Sequence, residues 1–242
     1  MKKQDIYFGI LILLSVMLFL PFPFLEGFHK SFLFNHHYWV TTSFLKFGLL
    51  STIGEVIGLR ISTGSYFKKG FGYAPRFIVW GLLGIGIKMA FVIFATGTPI
   101  LMEKFLGIPN AITSMKPNSI LDAFDEGLGY SRIFTAFGIS TFMNLIFAPV
   151  FMTLHKITDT HILDNGGTLK GFFTPISFKT IFPKLNWFVQ WDFVFKRTIP
   201  FFWIPAHTIT FLMPSEYRIV FAAMLGIVLG IILSLAAQKS TK

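Results

Sequence analysis

Residues 77–95 constrain this chain most, because they form an apolar stretch long enough to cross a lipid bilayer. About 20 apolar residues span a hydrocarbon core roughly 30 Å thick. The stretch contains one charge, Lys88, and a lysine at that depth costs at least about 3 kcal/mol without a partner or water. Lys46, Glu55 and His207 also lie within apolar stretches. Together they predict a polar interior inside a bundle of membrane helices.

Composition agrees with a membrane protein rather than a soluble one. Of the 242 residues, 53% are hydrophobic and only 13% are charged, whereas soluble domains carry about 25% charged residues. Residues 1–242 are therefore predicted to form a single integral membrane domain whose partner is the lipid bilayer. The chain has no cysteine, which excludes disulfides, thiolate zinc sites and cysteine nucleophiles.

The predicted fold is an all-α, polytopic transmembrane bundle of about six spans, with four or five as the alternative count. Residues 1–37 provide an N-terminal anchor span and its connection, because no small-residue cleavage site follows the first apolar stretch. The fifth span is short and contains Pro200 and Pro205, so a broken or tilted helix is an alternative there. The spans are residues 6–24, 38–59, 77–97, 133–154, 198–213 and 217–238.

Lysine and arginine positions favour both termini on the cytoplasmic side. Most of these residues then fall in cytoplasmic connections, as the positive-inside rule requires. That rule also explains the net charge of +10 without a nucleic-acid partner. Residues 156–197 form a cytoplasmic connection in this arrangement, and its interleaved aromatics and lysines predict an amphipathic segment in the headgroup layer. The chain lacks an Arg-rich amphipathic leader, which favours a bacterial plasma (inner) membrane.

Depth along each span groups the polar residues. At a rise of 1.5 Å per residue, Lys88, Asn144 and His207 lie about 14 to 17 Å from the cytoplasmic end, near the bilayer midplane. Glu55 lies about 6 to 8 Å deep and Lys46 about 20 Å deep. Together these five residues predict one pore or polar interior, in which Lys88, Asn144 and His207 share the midplane.

Simpler interpretations remain open for several of these side chains. Lys46 could snorkel towards the nearer interface. Glu55 could pair with Arg60 or reach towards Lys88. His207 could be a buried, hydrogen-bonded histidine with no further role.

Small residues predict close helix contacts. Such spacing lets two helix backbones approach and favours packing within the chain, although a homo-oligomer is an alternative. The relevant glycines are Gly54 and Gly58, Gly81, Gly84 and Gly86, and Gly226 and Gly230.

Catalytic patterns are weak. The chain has no G-x-S-x-G, H-E-x-x-H or P-loop motif. His155, Asp159 and His161 have a superficial metal-site spacing. His161 lies two positions after Asp159, however, so its side chain points to another helix face. The sequence therefore predicts no enzyme, no metal and no cofactor, with a lipid-active site at this cluster as a minor alternative.

The segment around residues 203–218 contains Trp203, Pro205, Phe211, Pro214 and Arg218. This pattern resembles the signature of the Mpv/PMP family, small peroxisomal and mitochondrial inner-membrane proteins with bacterial relatives. The resemblance departs from the family pattern where His207, Thr210 and Met143-Asn144 replace a glutamine, an asparagine and an acid-amide pair. It implies a compact helical bundle, for which pore formation has been proposed in some members. The matching positions are Gly54, Arg76, Trp203, Pro205, Phe211, Pro214 and Arg218.

Two functions follow from these features. The first is an integral membrane channel or facilitator for small solutes or ions. The second is a non-enzymatic structural or stress-response membrane protein, whose buried charges form a static network. Replacing Lys88 with methionine should change flux under the first hypothesis and only stability under the second.

Overall fold

The computed structural model describes residues 3–19, 22–116 and 129–240, with side chains described up to residue 232. Within these ranges the chain is helical and contains no β-strand. The predicted all-α class is therefore confirmed.

Eight longer helices organise the described part of the chain. They are α1 (Lys3–Met17), α2 (Trp39–Thr63), α3 (Tyr73–Lys104), α4 (Gly129–Ile146), α5 (Ala148–Asp164), α6 (Gln190–Trp203), α7 (Ile204–Leu212) and α8 (Arg218–Ser240). Shorter helical turns connect them: Pro23–Leu25, Glu26–Phe28, His29–Leu33, His36–Tyr38, Ala111–Ser114, Leu169–Phe172, Phe178–Ile181, Phe182–Lys184 and Trp187–Val189.

The helices form a closed arrangement around one interior. Helix α2 packs along α3 on one side and α8 on the other, α4 packs against α3 and α7, and α7 contacts α8. The main apolar core lies where α2, α3, α4, α7 and α8 converge. Its most deeply buried members include Leu50, Phe91, Ile139, Phe211 and Ala223.

Glycines allow α2 to approach both neighbours closely. A Cβ atom on Gly84 of α3 would lie 2.4 Å from Cβ of Phe47 on α2. A Cβ atom on Gly54 of α2 would lie 3.1 Å from Cα of Ile227 on α8. These contacts place Gly54 and Gly84 at helix interfaces within the chain, whereas nothing lies within 4 Å of the Cβ position of Gly86.

Residues 133–154, predicted as one span, are divided between two helices. Helices α4 and α5 meet at Phe147 and bend by 46°. Pro149 lies in the first turn of α5. Because proline has no N–H group and its ring clashes with the preceding turn, it ends one helix and begins another.

The short fifth span, predicted over residues 198–213, belongs to a longer helical run over residues 187–212. Helix α6 has π-helical hydrogen bonding, with Ile204 N–H donating to the Ile199 carbonyl, and it contains Pro200. Helix α5 also continues to Asp164. The predicted connection over residues 156–197 is therefore partly helical at both ends, and its position relative to a membrane stays a prediction.

By length and composition, α3 could cross a membrane. Helices α4 and α5 meet the same criterion together, as a bent pair. None of the other described helices meets it.

Helix α1 is attached to the end of α2 by Asp5. Arg60 Nε donates to Asp5 Oδ1 at 2.9 Å, and the Tyr66 hydroxyl donates to the same oxygen at 3.0 Å. The Asp5 carboxylate accepts both of these hydrogen bonds. The proposed Arg60–Glu55 pair is therefore wrong, because Asp5 holds Arg60. The predicted span over residues 6–24 includes residues 20 and 21, which lie outside the described ranges.

We predict that Gly84→Ala lowers the free energy of unfolding by about 1 to 3 kcal/mol, because the added methyl overpacks against Phe47. Thermal unfolding of the purified protein, followed by circular dichroism, measures the change. Gly86→Ala is the matched control, since nothing lies within 4 Å of its Cβ position. Equal melting temperatures for the two variants would contradict the close approach of α2 and α3.

Candidate functional site

A cavity of about 370 Å³ lies inside the bundle. Helices α2 to α8 all contribute side chains to its wall. Most of that wall is apolar and aromatic, including Phe47, Phe91, Phe151 and Phe193. Its volume falls within the range of small-molecule pockets, which hold about 300 to 1,000 Å³.

The cavity has a buried floor and an exposed mouth. Asn144 and Phe91 lie at the floor and are 1% and 4% exposed, whereas Lys156 at the opposite end is exposed. Along α3 the wall extends from Trp80 near the mouth to Phe91 at the floor, a helix length of about 16 Å. The cavity therefore runs from a buried floor at Asn144 to an exposed end at Lys156.

A neutral polar pair forms part of the floor. The Asn144 side-chain amide lies 3.1 to 3.2 Å from Nδ1 of His207. Asn144 Nδ2 also donates to the Ser140 carbonyl at 2.8 Å, and the Ser140 hydroxyl donates to the Ile204 carbonyl at 2.7 Å. The His207 ring stacks on Trp203 with centroids 5.2 Å apart. These bonds join α4 to α7 and fix the orientation of both side chains.

Behind the floor, two arginines close the bundle by binding the end of α7. Arg132 is 1% exposed and donates to the Leu212 carbonyl at 3.2 Å. Arg218 donates to the carbonyls of Phe211 and Met213, each at 3.0 Å. Cations are favourable at a helix C-terminus, where the last carbonyls lack partners within the helix. Neither arginine is among the residues that line the cavity.

At the mouth, the Glu55 carboxylate binds three donors from two other helices. It accepts from Arg76 at 2.5 Å and from Trp80 Nε1 at 2.9 Å, both on α3. His155 Nε2 on α5 lies 3.3 Å from the same carboxylate. The His155 ring also packs on Trp80, with centroids 4.3 Å apart. Glu55 thus joins α2, α3 and α5.

Asp159 extends this cluster on α5. It forms an ion pair with Arg76 and a second, weaker one with Lys156 at 3.4 Å. Two carboxylates, Glu55 and Asp159, therefore face two cations, Arg76 and Lys156. Their formal charges cancel, so the mouth of the cavity carries no net charge when His155 is neutral.

Three of the five predicted interior residues line this one cavity: Glu55, Asn144 and His207. The other two do not. Lys46 is 5% exposed, donates to the Leu33 carbonyl at 2.7 Å and lies over the Phe34 ring. It does not snorkel, because this local carbonyl satisfies it inside the protein.

Lys88 differs most from its expected place. Ile87 and Phe91 of α3 face the cavity, and the intervening Lys88 is half-buried on another side of the helix. Among the described residues it has no hydrogen bond or ion pair, and it interacts electrostatically with Arg218 and Glu216. Its predicted contact with Glu55 is wrong, because Arg76 occupies that carboxylate.

The residues of the family resemblance divide between the cavity and the bundle ends. Gly54 and Trp203 line the cavity, and Arg76 belongs to the cluster at its mouth. Phe211 and Arg218 lie behind the floor. Pro205 occupies the first turn of α7, and Pro214 follows the end of that helix.

Sequence reasoning missed Ser51, Trp80 and Gln190, which all line the cavity. Neutral polar residues in an apolar helix are the signal that could have found Ser51. His155 and Asp159 are brought together through Arg76 and Glu55, whereas His161 bonds the Phe172 carbonyl at 3.1 Å. The described residues contain no group of three side chains suited to holding a metal ion.

Comparisons with protein-family models, with curated proteins and with solved structures find no match.

We predict that Arg76→Met destabilises the protein by about 3 kcal/mol, because it leaves Glu55 and Asp159 without their shared cation in a largely buried cluster. Chemical or thermal unfolding measures the loss. Lys30→Met is the matched control: it removes an ion pair with Glu26 whose side chains are 77% and 60% exposed, so no measurable change is expected. An Arg76→Met protein as stable as the wild type would contradict the importance of this cluster.

Proposed function

We propose that the protein is an integral membrane channel or facilitator that admits small solutes through the cavity described above. The single observation that carries this proposal is a cavity of about 370 Å³ that leads from exposed Lys156 to the buried Asn144–His207 pair. A pathway closed at one end is the form expected of a facilitator in one of its two states.

The outer surface supports a position in the bilayer. Only 28% of the most apolar 18-residue window of α3 is buried, whereas the core helix of a soluble protein would be mostly buried. Leu82, Met89, Val92 and Ile93 of that helix are exposed. Lipid chains would cover this apolar face at no cost in hydration.

Six crossings remain part of the proposal. Helices α2, α3 and α8 contain 25, 32 and 23 residues, so each is long enough for a span of roughly 20 residues. Of these three described helices, α3 is the one that is also apolar enough to meet the criterion given above. The bent pair α4–α5 and the run over residues 187–212 would supply two more crossings, and α1 the sixth. The mouth at Lys156 would then face the cytoplasm of a bacterium.

The flux experiment uses proteoliposomes loaded with buffer and shocked with glycerol or urea. Light scattering follows solute entry relative to empty liposomes. We predict faster entry with the wild-type protein. Gly226→Leu should return the rate towards that of empty liposomes, because Gly226 lines the cavity and the nearest atom to its Cβ position is 4.0 Å away.

Two controls test whether the cavity is responsible. Gly97→Leu makes the same substitution on the outer face of α3, where nothing lies within 4 Å of the Cβ position. Lys88→Met removes a charge outside the cavity wall. Both variants should retain wild-type flux. If solute entered liposomes containing the wild-type protein no faster than it entered empty liposomes, that result would count against a facilitator.

The ionic cluster favours a second candidate, a structural membrane protein without flux. Glu55, Arg76 and Asp159 are mutually paired and largely buried, as a static network requires. In that case Gly226→Leu would raise the melting temperature by filling unused space, a change commonly worth about 0.5 to 2 kcal/mol. No variant would then alter solute entry.

A further inference from the structure

The cavity wall contains polar atoms that the protein itself leaves unpaired. Ser51 Oγ, Gln190 Nε2 and Trp203 Nε1 are buried and have no hydrogen-bond partner among the described residues. All three residues line the cavity, and Ser51 and Gln190 are only 4% and 8% exposed. Because buried polar groups in proteins are almost always hydrogen-bonded, these three side chains can each bind a molecule that enters the cavity.

The chemistry of these atoms sets what the occupant must offer. An indole N–H can only donate, and a serine hydroxyl and a glutamine amide can both donate. Leaving one such buried group unpaired costs about 1 to 3 kcal/mol. The complementary molecule therefore carries hydrogen-bond acceptors.

The charged groups of the wall indicate that the occupant carries no net charge. Glu55 already binds Arg76, Trp80 and His155, so its carboxylate is not available to a cation. Asp159 offsets Lys156 at the mouth. The floor presents only the neutral Asn144 amide and the His207 ring to the interior. An ion entering this cavity would lose its hydration and meet no net charge in return.

The remaining wall favours an apolar body. Phe47, Phe91, Phe151 and Phe193 surround the same space, and aromatic side chains prefer flat or aliphatic groups. From these observations we infer that the cavity binds a neutral, largely apolar molecule bearing carbonyl-type acceptors, which enters past Lys156. This inference deepens the proposed function and depends on it for transport, while binding itself can be tested alone.

Two probes of matched shape test the ligand class: 2-acetylnaphthalene, which has a carbonyl acceptor, and 2-ethylnaphthalene, which has none. Equilibrium dialysis against the full chain in lipid nanodiscs, with empty nanodiscs subtracted, measures saturable binding. We expect the ketone to bind about three to ten times more tightly, as one net hydrogen bond allows. The cation 2-naphthylmethylammonium should bind more weakly than the ketone.

Variants identify the donors. Trp203→Phe and Ser51→Ala should each reduce the preference for the ketone while retaining binding of 2-ethylnaphthalene. Thr52→Val is the matched control, because Thr52 Oγ1 is also buried and unpaired but does not line the cavity. It should leave the preference unchanged. Retained binding of the ethyl probe shows that each variant is folded.

Several outcomes would overturn the inference: equal binding of the two probes, tighter binding of the cation, or no saturable binding of any probe, in which case water fills the site. The flux experiment tests the facilitator independently of the ligand class. Ketone preference without solute entry would retain the ligand class and remove the facilitator. Solute entry without ketone preference would retain the facilitator and remove the ligand class.

Discussion

The arrangement of the bundle depends most on the contacts of the Glu55 carboxylate. This residue lies on α2, one residue from Gly54, whose missing side chain allows α8 to approach. The same carboxylate binds Arg76 and Trp80 on α3 and His155 on α5. A buried carboxylate is stable only when donors replace its lost hydration. These helices must therefore stay together, and the space that they enclose becomes the cavity.

The two ends of this cavity are built differently. The mouth is an ionic cluster whose charges cancel, and the floor is the neutral Asn144–His207 pair backed by Phe211. Arg132 and Arg218 lie beyond it, bound to carbonyls at the end of α7. The charged side chains at the two ends of the cavity therefore connect helices to one another. The walls of the cavity, in contrast, are apolar with a few unpaired hydrogen-bond donors. This division is the reason for proposing a neutral occupant rather than an ion.

Sequence reasoning could predict the helical class, because the long apolar stretches favour helices. The depth of the polar residues in a bilayer stays a prediction. Sequence reasoning could not predict which way each side chain faces. Lys88 and Ile87 are adjacent in sequence, but successive side chains on a helix point about 100° apart. Ile87 therefore faces the cavity, whereas Lys88 lies on another side of α3. Only the packing of α3 against its neighbours decides which side faces the cavity.

Helix ends were also hard to predict from local sequence. Pro200 suggested a break and instead lies within the π-helical α6, while Pro149 marks a bend of 46°. Both prolines remove one donor, and tertiary packing determines whether the helix continues. The Glu55 cluster escaped prediction for a similar reason, since Arg76 and Asp159 are far apart in sequence and meet only in the folded bundle.

Because the chain contains no cysteine, introduced thiols test the one-ended cavity most directly. Ser51→Cys is a near-isosteric change at a buried cavity residue, and Val92→Cys places a thiol on the exposed apolar face of α3. The measurement is the labelling rate by a small, membrane-impermeant thiol reagent added to either side of sealed vesicles. We predict labelling of Ser51→Cys only from the side of Lys156, and slow labelling of Val92→Cys from both. Equal rates for the two thiols, or labelling of Ser51→Cys from both sides, would contradict a membrane-embedded cavity with a single mouth.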